Sequence, residues 1–261
     1  MSLVVTDAIV LHGFDYLESS RILRLVTREA GVRSVLARGA RRSKRRFGTS
    51  LDLYVQGTAE LQIKAGRDLD TLSAFDVVRA RPQLAVQLSR FSGASVIAEL
   101  TLRFVREAAD TGLFDAVEWA LDAIGTASPE RARDVTLCGA WRILVELGVA
   151  PTIDQCAECR ATIPPDDAPM FSHPAGGVVC RRCGHLARNG RAIPSSARDV
   201  LRDWLSGVPH EVTSAQEGRA HQRLLHEFVR EHLSGDQPLR AYDAWEREML
   251  TGLESSGKGA A

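Results

Sequence analysis

SRILRLVTREAGVRSVLARG, residues 20–39, decides the fold. Two β-rich runs, SRILRLVTRE and VRSVLARG, flank Ala30-Gly31, and such punctuation suits a hairpin with Gly31 at positive φ. On the N-terminal side, MSLVVTDAIVLHGFD reads as a strand, with Val5, Asp7, Ile9 and Leu11 near one parity. On the C-terminal side, beyond a basic run, a strand begins near Leu53 in LYVQGTAELQIKA and alternates at Ala59, Leu61 and Ile63. LDTLSAFDVV follows a Gly66-Arg67-Asp68 turn. Five short strands within residues 1–80, with no helical period among them, predict a small closed or nearly closed barrel. An OB-type barrel is the commonest such fold for nucleic acid, and an SH3-like barrel has nearly the same sequence pattern.

At Pro82 the period changes. Leu84, Leu88, Phe91, Ala98, Leu102 and Val105 step by three, four or seven, as one helix face does. A second helix is expected over about Leu113–Ile124, and Ser128-Pro129 marks the start of a third running to Leu147. That third helix is apolar on most sides, with Cys138 as a core thiol, and Gly148 and Pro151 end it. Residues 151–192 then break the pattern with four Cys, five Pro and four Gly, and such a segment needs a staple. Helices resume with Ser195 or Ser196 as a cap and Thr213 with Gln216 as a capping box. His221, His226 and His232 read as a polar helix face, and the tail from Glu254 as disordered. The expected class is α+β. Its domains are a five-stranded barrel (1–80), a helical domain in two parts (81–150 and 193–253), a four-Cys insert (151–192) and a tail (254–261).

The chain of 261 residues carries 33 Lys+Arg and 33 Asp+Glu, yet the charge is unevenly spread. Residues 1–80 hold 13 basic and 9 acidic side chains, whereas residues 193–261 hold 8 and 11. The basic excess centres on ARGARRSKRRFG, residues 37–48, where Arg38, Arg41, Arg42, Lys44, Arg45 and Arg46 crowd between two strands without interleaved Asp or Glu. Six like charges repel one another unless an anion relieves them, and nucleic-acid phosphate is the natural anion. If all six met single-stranded DNA, log K against log salt would slope by roughly −4, from about −0.7 per contact. The nearby aromatics are only Phe14, Tyr16, Phe47 and Tyr54, which suits a surface that grips backbone and leaves base edges free.

Cys156-Ala-Glu-Cys159 and Cys180-Arg-Arg-Cys183 form two Cys-x-x-Cys turns. Two such turns complete a tetrahedral thiolate set for one structural Zn²⁺, although the spacing alone also admits a redox dithiol or an iron–sulfur cluster. With four thiolates present, neither His173 nor His185 is needed as a ligand. An odd cysteine count argues against a disulfide framework, and no apolar run or cleavable leader is evident, so a cytoplasmic location is expected.

Enzyme signatures are missing. No G-x-S-x-G, H-E-x-x-H or dinucleotide fingerprint occurs. Gly252-Leu-Glu-Ser-Ser-Gly257-Lys258 spells most of a P-loop, but Gly259 stands where Ser or Thr should hold Mg²⁺. A non-enzymatic role is therefore expected.

The order Gly13…Glu18-Ser19-Ser20-Arg21-Ile22-Leu23…Thr27…Gly31…Ala37-Arg38-Gly39-Ala40-Arg41-Arg42 resembles the N-terminal signature of the RecO family of bacterial recombination mediators. The two Cys-x-x-Cys turns resemble those of its zinc-bearing members. The resemblance implies an OB-fold, a helical domain and a zinc finger. It also implies annealing of complementary strands, including strands coated by single-stranded-DNA-binding protein (SSB), and loading of the RecA recombinase with the RecR partner during DNA repair. It further implies binding of single- and double-stranded DNA in association with the nucleoid, and docking of the acidic SSB tail on the helical domain. Two other classes stay open. One is a zinc-containing interaction scaffold whose basic loop binds an acidic protein, and the other a metal-dependent nuclease or deaminase.

Overall fold

In the computed structural model of the chain, which describes residues 2–42, 47, 51–64, 66, 68–104, 110–187 and 189–256, Gly31 takes a φ of 68°. That left-handed conformation, free of a Cβ penalty in glycine, turns strand β2 (Ser20–Thr27) back into β3 (Gly31–Ala37). With β1 (Ser2–Tyr16), β4 (Gln56–Ile63) and β5 (Asp70–Arg79) these strands close into a barrel of order β1-β2-β3-β5-β4. β1 is long enough to pair with both β2 and β4. β3 and β5 meet in parallel through Val35–Asp70 and Leu36–Thr71. This order is that of an OB-like barrel, which decides between the two barrels the strand pattern allowed.

The barrel interior is filled by Val10, Leu23, Val35, Leu61 and Phe75, with Phe47 also inside. Two details differ from the sequence pattern. Ala8 and Val10 point inward on β1, whereas Val5 is exposed; Ile9 and Leu11 are buried on the opposite side of the same strand. β1 has no single apolar parity because helix α2 (Leu88–Phe104) packs against its outer surface and that of β2. β4 begins at Gln56 rather than near Leu53, because Tyr54 takes a φ of 67° and its N–H bonds back to the Val10 carbonyl at 2.7 Å.

The chain folds as two units, Met1–Thr126 and Ala127–Ala261. In the first, the barrel is joined by α1 (Gln83–Val86), α2 and α3 (Thr111–Thr126). Leu84 and Leu88 do not share one helix face: Gln87 is extended (φ −126°, ψ 134°) and breaks the helix, leaving Leu88 exposed and Phe91 partly so. Val105 lies outside the described residues. Arg81, buried after β5, donates to the Asp122 carboxylate at 2.6 Å, to the Tyr54 carbonyl at 2.9 Å and to Gln56 Oε1 at 2.8 Å. Arg24 donates to the Leu102 carbonyl at 2.8 Å, and Arg28 pairs with Asp115 at 2.7 Å. Buried guanidinium groups must be satisfied to be tolerated, so these bonds fix the helices on the barrel wall.

The second unit is built around α4 (Ala132–Glu146), which is buried along most of its length, Cys138 included. It starts three residues after Pro129, in a turn closed by the Ser128 carbonyl. A ribbon sheet of β6 (Met170–Ser172), β7 (Gly177–Val179) and β8 (Arg191–Ala192) follows, then α5 (Ser195–Leu205), α6 (Ala215–Val229) and α7 (Arg240–Ser256). Ser195 lies inside α5 and makes no side-chain cap. The cap of α6 is Ser214, whose Oγ accepts from the Glu217 N–H at 3.1 Å, one residue on from the expected Thr213. α7 runs through Ser256, over the first residues of the expected tail; residues 257–261, including the P-loop-like Gly257-Lys258, lie outside the described residues. No described helix is long and apolar enough to cross a membrane.

The histidines of α6 do not form one polar face. His221 is buried edge-on against Trp204 at 4.8 Å, and burial pushes its pKa down to about 4. Its unfolded value is near 6.5, so the unfolded chain binds the proton more readily than the folded one. Stability from this group is complete above pH 6.5 and is lost as pH falls towards 4, by about 3 kcal/mol. Urea unfolding of the second unit should therefore weaken between pH 7 and pH 4.5, and His221→Gln should remove that share of the loss. An unchanged pH dependence in His221→Gln would contradict the assignment.

Candidate nucleic-acid interface and metal centre

The two segments of the N-terminal signature meet in space. β1 turns into β2 through Leu17-Glu18-Ser19, and Leu17 has a φ of 54°. The Ser19 carbonyl accepts from the Arg41 N–H at 3.1 Å, and Ser20 Oγ accepts from the Gly39 N–H at 3.4 Å. Gly39, at a φ of 70°, lets the chain leave β3 in a tight turn closed by Arg42 N–H to Gly39 carbonyl at 3.0 Å. The start of the basic run is thus clamped to the neighbouring hairpin, with the side chains of Arg38, Arg41 and Arg42 exposed. Lys44, Arg45 and Arg46 lie outside the described residues.

The run has no interleaved Asp or Glu, but acids from outside it reach two of its cations. Arg41 lies 3.5 Å from Asp15, and Arg42 lies 3.6 Å from Glu18. The acids come from the β1–β2 hairpin, some 25 residues earlier, which is why local spacing does not reveal them. Both pairs are open to solvent, and exposed ion pairs contribute roughly 0–1 kcal/mol, so either opens at small cost. Arg21 was not singled out by sequence reasoning. It pairs with Asp15 at 3.3 Å and donates to the Leu51 carbonyl at 2.7 Å, bracing the hairpin below the turn. Of the four aromatics near the run, Phe47 and Tyr54 are core residues, while Phe14 and Tyr16 are exposed.

In the second unit the four cysteines of the two Cys-x-x-Cys turns converge. The sulfur atoms of Cys156, Cys159, Cys180 and Cys183 all lie within 4.8 Å of one another, and Cys159 and Cys180 are 3.8 Å apart. A tetrahedron with Zn–S bonds of about 2.3 Å has edges of about 3.8 Å, so the donor set fits zinc. Each turn is held by backbone bonds: Arg160 N–H to Cys156 carbonyl at 2.9 Å, and Cys183 N–H to Cys180 carbonyl at 3.0 Å. Burial opposes ionisation of Cys156, but the N–H groups of Cys180, Cys159 and Glu158 outweigh it and hold that thiol at about 6. Cys183 is pushed up to about 12 by burial and by the neighbouring sulfurs. Thiolates gathered this closely require a cation to ionise together.

The ribbon is fastened to the helices independently of the cysteines. The buried Arg198 of α5 donates to the carbonyls of Pro164 and Pro165. His173 faces Glu227 at 3.0 Å, and His185 Nδ1 lies 3.0 Å from the Arg182 carbonyl, so the four thiols form the cluster without either imidazole. Cys138 Sγ lies 3.9 Å from the Trp204 carbonyl, and burial raises its pKa to about 12, as befits an inert core thiol.

The chain thus combines an OB-like barrel bearing a clamped basic turn with a helical unit and a four-thiol ribbon. The family model described as Recombination protein O N terminal matches residues 1–81, and that described as Recombination protein O C terminal matches residues 86–241. The chain belongs to the RecO family. It is 34% identical over 234 residues to the DNA repair protein RecO of Anaeromyxobacter sp. (strain Fw109-5), covering 86% of this chain and 89% of that protein. To the DNA repair protein RecO of Rubrobacter xylanophilus it is 30% identical over 239 residues, covering 91% and 94%. Its function accordingly falls within DNA repair and recombination.

Proposed function

We propose that the chain is a non-enzymatic recombination mediator that binds single- and double-stranded DNA through backbone phosphates and anneals complementary strands. With RecR it helps load RecA on SSB-coated DNA, the acidic SSB tail docking on its helices. Arg38, Arg41 and Arg42, with Lys44, Arg45 and Arg46 of the same run, hold the phosphates. The observation that carries this reading is the clamp between Ser19-Ser20 and Gly39-Arg41, which displays cations at one end of an OB-like barrel. Cys156, Cys159, Cys180 and Cys183 hold one structural Zn²⁺, which when bound supplies a covalent-like crosslink between the two turns. In this reading residues 1–80 are the DNA-binding module, 81–150 and 193–253 the helical module, and 151–192 the zinc insert.

Phosphate contacts leave base edges open, so the protein should speed pairing of two complementary oligonucleotides without hydrolysing ATP or cutting either strand. The measurement is fluorescence-detected annealing, with and without saturating SSB. Failure to accelerate annealing of naked strands would count against the reading. A second reading, a scaffold whose basic turn binds an acidic protein, draws on the contacts of Arg41 and Arg42 with Asp15 and Glu18. It predicts no DNA affinity with a steep salt dependence.

A further inference from the structure

Gly13 faces Leu23 inside the barrel, and strand side chains alternate, so His12, Phe14 and Tyr16 share the outer face of β1. All three are exposed; Phe14 retains 48% and Tyr16 42% of its surface. Alternate positions on a strand lie about 7 Å apart, and the His12 and Phe14 ring centres are 6.1 Å apart. Across the ladder from Phe14 lies Ile22, and beyond it Leu36, both half-buried, giving the rings an apolar flank. Across from Tyr16 lies Ser20, whose Oγ holds Gly39, so the row runs directly into the turn carrying Arg38, Arg41 and Arg42. The cations on the same strands are already engaged: Arg24 with the Leu102 carbonyl, Arg21 with Asp15 and the Leu51 carbonyl.

We propose that Phe14 and Tyr16, with His12 at their end, form a stacking platform for unpaired nucleobases beside the phosphate-gripping turn. The inference rests on the DNA-binding reading above and refines it. Single exposed hydrophobic residues are ordinary, but two large rings in register, flanked by aliphatic side chains and ending at a cluster of guanidinium groups, match what single-strand binding requires. A base in a duplex has both faces covered by its neighbours, whereas a base in a single strand offers one to a ring. The platform therefore selects single strands, while the arginine turn accepts either form. Stacking uses the base face and leaves the pairing edge outward, so a strand held this way is still ready to anneal.

The test uses the full chain carrying Phe14→Ala and Tyr16→Ala, with a dT oligonucleotide and a blunt duplex as probes. Single-strand affinity is expected to fall about 10- to 100-fold, with duplex affinity and the salt slope nearly unchanged, because stacked rings carry no charge. Phe14→Trp with Tyr16→Trp should keep single-strand affinity at or above the original. Both rings are exposed, so an unchanged circular dichroism spectrum is expected to accompany the loss. Equal losses on both probes, no loss on dT, or full affinity in Phe14→Leu with Tyr16→Leu would each overturn the platform. If the unsubstituted protein binds neither probe, the DNA-binding reading falls with it; if only the ring variants behave like the parent, that reading stands and the platform alone is lost.

Discussion

Reversing charge at Arg38, Arg41 and Arg42 together should lower affinity for single-stranded DNA about 100-fold at 0.1 M salt and flatten the salt dependence. Each phosphate contact on a single strand contributes about 0.7 to the slope of log K against log salt, so three contacts contribute about 2. Between 1 M and 0.1 M salt that slope corresponds to two decades of affinity. Carboxylates in place of guanidinium groups add repulsion, so the loss at low salt is a lower bound. The turn survives the substitution, because it is closed by backbone bonds at Ser19, Gly39 and Arg42 and by Ser20 Oγ. Asp15 and Glu18 lose only exposed pairs. A variant with unaltered slope would remove the phosphate role of the turn, and would favour the acidic-partner scaffold.

Replacing Cys156 and Cys159 by serine should abolish the metal site and loosen the ribbon. Apparent binding free energies of structural zinc are about 10–16 kcal/mol, and small modules of this kind take their fold from the metal. The purified variant is expected to lack its equivalent of zinc, and trypsin should cut at the exposed Arg160, Arg181 and Arg182. The barrel belongs to the other unit and should keep its DNA affinity. Protection of those sites in a zinc-free variant would show that the ribbon stands without metal. Complete loss of DNA binding with the barrel still folded would show that the ribbon itself meets DNA.

Features encoded in short stretches of chain were legible in the sequence, and those created by distant packing were not. Gly31 announced the central hairpin because only one residue type fits its backbone comfortably. The four cysteines announced their cluster because a Cys-x-x-Cys turn is a local geometry, whatever surrounds it. By contrast, the OB-like closure depends on Val35 and Leu36 meeting Asp70 and Thr71, a pairing between strands more than thirty residues apart. The parity of β1 misled because Ile9 and Val10 are both buried, on opposite faces, and periodicity assumes one wet side. The break at Gln87 carries no proline or glycine to signal it. Within the site, the arginines were visible as a run, yet Asp15, Glu18 and the bracing Arg21 belong to the preceding hairpin. The exposure of Phe14 and Tyr16, against the burial of Phe47 and Tyr54, is likewise a tertiary property.

The short parallel meeting of β3 with β5 bears on how the barrel yields under load. β2 holds β3 through seven residue pairs, but β5 holds it through two, and the chain passes straight from that sparse side into the basic turn. Local opening starts where the fewest backbone bonds must break. The basic turn therefore springs from the most sparsely paired wall of the barrel, while the clamp at Ser19-Ser20 ties it to a wall of eight residue pairs. In the proposed DNA-binding role, a strand drawn across the turn would flex that wall without unravelling the hairpin beneath, and the grip would follow the irregular path of a single strand.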